Sequence, residues 1–292
     1  CNPAVNTEFN GDYADSRNAW RLSGTAKLSF TVSPRLMLYF GYDRGHRSGG
    51  YNLDQASFDT RVLGGNGAQA SDLAFGSESV DSYEIGLKLN IAPQAAFNLA
   101  LFRAEYHDLQ SLTFETAQFV VQNVPQARSQ GVEAEAVLHP APPVEVRIGY
   151  SYTDARYGDS TPLTGALAGM EGEPFRDQPR HVVTAAASWT PAIVPGIHGR
   201  FQIDSRYQSA TELAGHDAIT GRGIVRNPAF ALVNARIGVE FEDSGISAEL
   251  FVRNLTDQFY MLTGFSVPEQ PDSYAGFPGA PRRWGMRVRV RF

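Results

Sequence analysis

Trp20-Arg21-Leu22-Ser23-Gly24-Thr25-Ala26-Lys27-Leu28-Ser29-Phe30-Thr31-Val32 alternates without a break. In an extended chain, Trp20, Leu22, Gly24, Ala26, Leu28, Phe30 and Val32 fall on one face. Arg21, Ser23, Thr25, Lys27, Ser29 and Thr31 fall on the other, since successive strand side chains point to opposite sides. This run, at ~3.3 Å per residue and a tilt of about 45°, rises roughly 30 Å, which matches a hydrocarbon core and is long for a soluble strand. Ser33-Pro34-Arg35 turns tightly and the chain returns from Leu36 to about Gly45.

The pattern recurs. Val80–Ile91 sets Tyr83, Ile85, Leu87, Leu89 and Ile91 against Ser82, Glu84, Gly86, Lys88 and Asn90, turns at Pro93, and returns from Ala95 to Leu109, where both faces are partly apolar and the register stays open. Gln130–Leu138 sets Val132, Ala134, Ala136 and Leu138 against Gly131, Glu133 and Glu135. It turns through Pro140–Pro143 and returns with Val144, Val146, Ile148, Tyr150 and Tyr152 against Glu145, Arg147, Gly149 and Ser151. His181–Thr190, also open in register, pairs with Arg200–Gln208. Ala231–Phe241 turns through Glu242-Asp243-Ser244-Gly245 into Ile246–Asn254, and Arg283–Phe292 is the last strand.

About eleven strands result. Short turns near residues 34, 93, 141, 195 and 244 interleave with long polar stretches at 46–78, 110–128, 158–179, 209–228 and 256–281. A soluble sandwich gives no reason for this sorting, whereas a bacterial outer-membrane barrel has short periplasmic turns and long external loops. The first strand then runs toward the periplasm, and so does the eleventh. An odd number of strands cannot close an up-and-down antiparallel barrel, so the wall is expected to be part of a larger one. Residues 1–19, polar and turn-rich, read as the remnant of an extracellular loop, and 20–292 as barrel wall.

Aromatic placement agrees. Phe30, Phe97, Trp189, Phe201, Phe241 and Phe292 fall at short-turn ends, and Tyr42, Tyr106, Tyr150, Tyr152, Tyr207, Phe230 and Trp284 nearer the long-loop ends, as two interfacial girdles require.

Composition narrows the classes. Gly, Tyr, Phe, Ser and Thr are plentiful, which suits strands and turns. No run approaches the roughly 18 apolar residues of a membrane-spanning helix, and alternation hides a barrel strand from any running average. Cys1 alone permits neither an internal disulfide nor a zinc cluster. It is either the acylated start of a lipoprotein or, the preferred reading given no initiating Met or signal peptide, the point at which a longer chain was cut. A formal charge of -6 with both signs scattered offers no basic patch for nucleic acid. His46, His107, His139, His181, His198 and His216 lack metal-ligand spacing, and there is no Gly-x-Ser-x-Gly elbow, so neither catalysis nor a cofactor is expected. Asp54, Asp59, Asp72, Asp154, Asp159 and Asp217 lie in or beside loops without the spacing of a calcium loop.

Five stretches, in order, resemble the TonB-dependent outer-membrane receptor family. Gly45-His46-Arg47-Ser48-Gly49-Gly50-Tyr51-Asn52 is similar to the family's Gly-x-x-Ser-Gly-Gly-aromatic-Asn, and Glu78-Ser79 with Ser82-Tyr83-Glu84-Ile85-Gly86-Leu87-Lys88 to its Tyr-Glu-x-Gly-x-Lys strand opening. Asn123-Val124 leading to Ala127-Arg128-Ser129-Gln130-Gly131-Val132-Glu133-Ala134-Glu135 resembles its Asn…Gly-Val-Glu-x-Glu segment. Asn254-Leu255-Thr256-Asp257 with Tyr260 resembles Asn-Leu-Thr-Asp-x-x-Tyr, and Pro281-Arg282 before the last strand resembles its closing strand. The resemblance implies a barrel of roughly 22 strands, of which these would be the C-terminal half. It also implies an N-terminal plug domain and a TonB-contacting segment, neither visible in this sequence.

On the polar face, Glu133, Glu135, Arg147, Arg206, Arg236, Arg253, Arg287, Arg289 and Arg291 would meet the plug or brace neighbouring strands, with Glu135 near Arg147 and Glu240 near Ser247–Glu249. Trp284, Met286, Val288, Val290 and Phe292 resemble the terminal signal read by the barrel assembly machinery. Arg44, Arg47, Tyr51, Arg156, Tyr157, Phe175, Arg176, Arg222, Arg226 and Tyr274 are the candidate ligand contacts, because planar aromatics and arginine forks suit catecholate, carboxylate or sugar groups. The leading expectation is an uptake receptor in the outer membrane, in contact with lipid and lipopolysaccharide, that takes a ferric siderophore or similar scarce solute with energy from the TonB complex. The alternatives are a self-contained smaller porin or membrane enzyme, with residues 1–19 adding a strand, and a soluble all-β binding protein.

Overall fold

The computed structural model describes residues 14–53, 73–115, 118–164, 167–214, 225–267, 270 and 273–291. Its first strands are β1 (Gly24–Ser33), β2 (Leu36–Arg47), β3 (Gly50–Tyr51), β4 (Ala74–Phe75), β5 (Glu78–Ala92), β6 (Ala95–Glu115), β7 (Gln118–Ala141), β8 (Val144–Tyr157) and β9 (His181–Trp189). Then come β10 (Ala192–Val194), β11 (Ile197–Gln208), β12 (Thr211–Ala214), β13 (Val225–Asn227), β14 (Phe230–Phe241), β15 (Ile246–Arg253), β16 (Met261–Ser266), β17 (Tyr274–Pro278) and β18 (Arg283–Val290). One antiparallel wall runs β1-β2-β5-β6-β7-β8-β9-β11-β14-β15-β18, with β10 added beside β11. These are the eleven strands expected from alternation. Within the described residues β1 and β18 each pair with a single neighbour, so the sheet is open.

Register places like residues side by side. Leu28, Phe40, Ile85, Leu101, Val132 and Tyr152 lie opposite one another along one rung. Ala187, Ile203, Ala235, Val252 and Trp284 form another toward the far edge. These apolar rungs are largely uncovered: Ile85 is 56% exposed and Leu28 and Trp284 70%, with Val252 the buried member. The wall therefore has no core of its own, and the buried apolar residues, among them Leu73, Val124, Leu163, Met170 and Leu213, gather at the long-loop end. A soluble sandwich buries its apolar face against a second sheet. A sheet with its apolar side outermost and its polar side concave is the wall of a transmembrane barrel.

Aromatics on the polar face lie over glycines of the next strand. Tyr39 faces Gly86, Phe102 faces Gly131 and Phe251 faces Gly285. A Cβ at Gly131 would run into the Tyr152 carbonyl oxygen and approach Phe102 Cζ to 2.8 Å, so this glycine is kept by the neighbouring backbone as well as by the ring above it.

Several expectations need correction. Residues 110–128 are not an irregular loop: β6 and β7 pair out to Glu115↔Gln118, because Thr113, Val120 and Val121 favour strand and find partners. Trp20–Ser23 lie outside β1, whose pairing ends at Gly24↔Arg44, and residues 14–19 add no strand. Tyr106 and Phe230 belong to no girdle: Tyr106 packs beside the loop core, and Phe230 is buried and stacks on Tyr260 with ring centroids 5.1 Å apart. The open registers resolve with Leu99, Leu101, Val183, Ala185 and Ala187 on the apolar side.

Candidate functional site

All five long excursions leave from the same end of the wall, and side-chain amides tie two pairs of them together, 46–78 to 110–128 and 209–228 to 256–281. Asn52 Nδ2 donates to the Val121 carbonyl (2.9 Å) while its Oδ1 accepts the Val121 N–H (2.7 Å). Asn227 makes the same double bond with Met261, at 2.8 and 2.9 Å. Asn123 accepts from Gly76 N–H and donates to the carbonyls of Gly76 (3.1 Å) and Asp108 (2.7 Å). Asn254, at a positive φ of 52°, accepts from Gln258 N–H and donates to the Gln258 and Ala280 carbonyls. An asparagine amide has the donor and acceptor of a peptide group, so each extends a ladder where the backbone cannot. Asn52, Asn123 and Asn254 lie in the stretches that carried the family resemblance, but sequence alone gave them no role.

The described residues of 158–179 fold back against the ends of β7 and β8. Leu163, Leu167 and Met170 pack on Val124 and Ala127, flanked by Tyr106, Leu109, Tyr157 and Phe175. The returning chain pairs with β8 through Arg156↔Pro174, and Phe175 N–H donates to the Ala155 carbonyl (2.9 Å). Glu171 Oε1 accepts the Leu163 N–H (2.6 Å), and that backbone bond holds its carboxyl below the ordinary range. Asp177 joins three excursions: its N–H donates to the Glu212 carbonyl (2.9 Å) and its Oδ2 accepts from Thr263 Oγ1 (3.4 Å). Burial pushes the Asp177 carboxyl up, against the pull of the Thr263 bond and Arg176. The hairpin β16–β17 rests on β12–β13, where a Cβ at Gly264 would lie 3.1 Å from Leu213.

The candidate ligand residues separate by face. Arg44 shares the outward side with Phe40 and pairs with Asp81 (3.4 Å), and Arg156, outward with Tyr152, bonds Asp154 (2.8 Å) and the Gly172 carbonyl. Tyr157 and Phe175 meet at a tilt, with ring centroids 4.6 Å apart, beside the loop core. Arg47 lies opposite Glu78 on the concave side, and Tyr51 stands on β3 opposite Ala74. Arg176 points its Nη2 at Met170 Sδ (3.3 Å), Arg226 sits opposite Glu212, and Tyr274 opposite Ser266. The ties through Asp177 thus gather Arg176, Arg226 and Tyr274 into one assembly. Arg222 lies outside the described residues, as do Asp54, Asp59, Asp72, Asp217, His216 and Phe292.

On the concave face, ion pairs brace neighbouring strands. Arg200 bonds Glu240 (2.5 Å), Arg287 lies 3.6 Å from Glu249 and Arg236 4.0 Å from Asp204, whereas the Arg147–Glu145 bond (2.7 Å) runs along β8 itself. Glu135 is opposite Gly149 and accepts from Asn98, so Arg147's partner is Glu145 and not Glu135, while Glu240 does face Ser247. Arg206 bonds Gln208, and Arg253 lies over the Phe251 ring at 5.9 Å. Glu133 is opposite Ser151, Arg289 opposite Ser247, and the Arg291 N–H donates to the Gly245 carbonyl. Half-exposed pairs of this kind contribute little each.

Comparison with known proteins agrees with this geometry. Residues 3–255 match the family model "TonB dependent receptor-like, beta-barrel". The ferrioxamine B receptor of Salmonella typhimurium is 25% identical over 168 residues, 56% of this chain and 22% of that protein. The ferric yersiniabactin uptake receptor of Yersinia pestis superposes with a TM-score of 0.72 at 18% identity, covering 92% of this chain and 37% of that one. The copper transporter OprC gives 0.67 at 14% identity, covering 92% and 39%. The chain thus spans about a fifth of the length of the curated relatives it matches. With the family model covering most of its length and an eleven-stranded wall, apolar on its outward side, beneath interlocked excursions, the chain belongs to the TonB-dependent receptor β-barrel family, an outer-membrane family of transport receptors and not of enzymes.

Proposed function

We propose that this chain is the C-terminal half of the barrel of an outer-membrane uptake receptor for a ferric siderophore or similar iron complex, energised through TonB. The observation that carries this reading is the assembly at the long-loop end, where Asp177 ties residues 158–179 to β12 and β16 above a polar concave wall. Such an assembly offers a rigid mouth that meets a solute before it enters the lumen, and the relatives named for ferrioxamine B and yersiniabactin favour an iron chelate. Arg47, Tyr51, Arg176, Arg226, Tyr274 and Arg222 are the residues we assign to ligand contact. Arg44 and Arg156 are on the lipid side and Tyr157 and Phe175 are used in packing.

Residues 1–19 belong to an extracellular loop in this reading, and 20–292 to barrel wall whose remaining strands and plug come from the complete receptor. The concave arginines, Arg287 and Arg289 among them, meet that plug. Trp284, Met286, Val288, Val290 and Phe292 present the terminal strand to the assembly machinery. The open edges at β1 and β18 disfavour a self-contained porin, and the uncovered apolar rungs disfavour a soluble binding protein.

The test is growth of a strain lacking the complete gene under iron limitation with single siderophores supplied, together with uptake of radiolabelled ferric chelates. The reading predicts that one chelate class loses uptake, that loss of TonB has the same effect, and that deleting Phe292 lowers the folded fraction on heat-modifiable electrophoresis. Unchanged uptake of every iron chelate would overturn it.

A further inference from the structure

We propose that the top of the concave wall holds an anion site for the transported solute, with Arg253 and Arg283 as its paired cations and Phe251 as its floor. The inference rests on the reading of the chain as an uptake receptor. It deepens that reading by giving the solute an anionic group, a carboxylate or phenolate, that meets β15 and β18 beneath the external excursions.

Register brings the cations together. Val252 faces Trp284 on the apolar side, so Arg253 and Arg283, directly opposite each other, share the concave side with the pairs Phe251–Gly285 and Glu249–Arg287. A Cβ at Gly285 would run into the Phe251 ring, so the ring lies across β18. The guanidinium carbons of Arg253 and Arg287 are 5.9 and 6.0 Å from its centroid. The ring thus separates the upper pair from Arg287 and Arg289, the arginines assigned to the plug. Arg236, Phe251, Arg253 and Arg287 line a groove of 270 Å³. At ~3.3 Å per residue and about 40° of tilt, Arg253 stands roughly 18 Å above Ile246 at the short-turn end, which puts the pair at the mouth of the lumen.

The acids nearby are already engaged. Glu249 lies 3.6 Å from Arg287, Asp204 accepts from Asn234 (2.7 Å) and lies 4.0 Å from Arg236, and Asp257 accepts the Arg282 N–H (2.8 Å). Continuing the β14–β15 register, the neighbour of Arg253 on β14 is Asn234, an amide bonded to Asp204 and to Asn254 N–H. Arg253 and Arg283 are exposed and make no ion pair within the described residues. Like charges directly opposite destabilise a sheet, and an anion between them reverses the sign. A guanidinium fork takes both oxygens of a carboxylate at once. Elsewhere on the concave face, Glu84, Glu133 and Glu135 of β5 and β7 present the opposite charge. An anionic solute is therefore drawn to β15 and β18 and away from β5 and β7.

The test measures equilibrium binding of citrate, and of spermidine as the cationic probe, to the complete receptor in detergent. Citrate should bind, more weakly as salt rises, and spermidine should not. Arg253→Gln should weaken citrate binding about tenfold, the scale of one charge-assisted fork. Arg283→Gln should act alike, Arg253→Lys should recover part of the loss, and Lys27→Gln, on the concave side of β1, should bind as the parent does. Both arginines are exposed, so either single variant remains decisive if the other folds poorly. No citrate binding, equal binding of spermidine, or arginine variants indistinguishable from the parent would overturn the inference and leave iron uptake untouched. Citrate binding that falls in Arg253→Gln would support the site even where cells take up no iron chelate, a result that would overturn the receptor reading by itself.

Discussion

Replacing Asn227 with alanine tests whether the external excursions are held as one body. Asn227 is 3% exposed and closes two hydrogen bonds on Met261, at 2.8 and 2.9 Å, which join the end of β13 to the start of β16. Each such bond contributes ~1 kcal/mol net, and a part-buried peptide group left without a partner costs more, so Asn227→Ala should destabilise docking of the β16–β17 hairpin by about 2–3 kcal/mol. If the hairpin opens locally, without unfolding the wall, its opening constant rises about 30- to 150-fold. Hydrogen exchange on the complete receptor in detergent reads this directly. Amides of Met261–Ser266 and Tyr274–Phe277 should exchange faster by that factor, while Phe201–Tyr207 in β11 should not change. Asn227→Asp keeps the acceptor for Met261 N–H and loses the donor, so it should give about half the effect in free energy. An increase below about threefold in Asn227→Ala would refute the idea that amide clamps hold the hairpin.

Other outcomes follow from the two-faced wall. Ile85→Arg places a cation on the lipid side and should cost about 2–4 kcal/mol of barrel stability, read from urea unfolding in lipid vesicles, whereas Glu84→Gln on the concave side should leave the midpoint nearly unchanged. Gly131→Val drives its Cβ into the Tyr152 carbonyl oxygen and the Phe102 ring and should lower stability by about 1–3 kcal/mol in the same assay. Glu171 has a folded pKa below its unfolded value, so its bond to Leu163 N–H supports the 158–179 excursion above the unfolded pKa and is lost as pH falls through the folded one. Acid should therefore raise proteolytic cutting within 158–179, and Glu171→Gln should flatten that pH response.

The wall was legible because a sheet apolar on one side and polar on the other forces a period of two, and Trp20–Val32 or Ala231–Phe241 display it residue by residue. Strand ends were less legible. Thr113 and Val120 read as loop because apolar residues lie on both sides of each, Leu112 and Phe114, Phe119 and Val121, and hide the two-residue period, yet cross-strand partners extend β6 and β7 to Glu115↔Gln118. Most of the external assembly was hidden for a different reason: the roles of Asn227 and Asp177 depend on Met261, Glu212 and Thr263, which are distant in sequence and show no period. Arg44 and Arg156 were named as ligand contacts from residue type alone. Counting parity from Phe40 and Tyr152 would have put both on the lipid side.

Spin labels placed one at a time along Ala96–Arg103 of β6 in the reconstituted receptor test the central claim most directly. The account predicts that labels at Phe97, Leu99 and Leu101 collide with membrane-dissolved oxygen, and those at Asn98, Ala100 and Phe102 do not, in a strict two-residue alternation. Equal oxygen access on both faces, or protection of both, would contradict a wall with lipid on one side only.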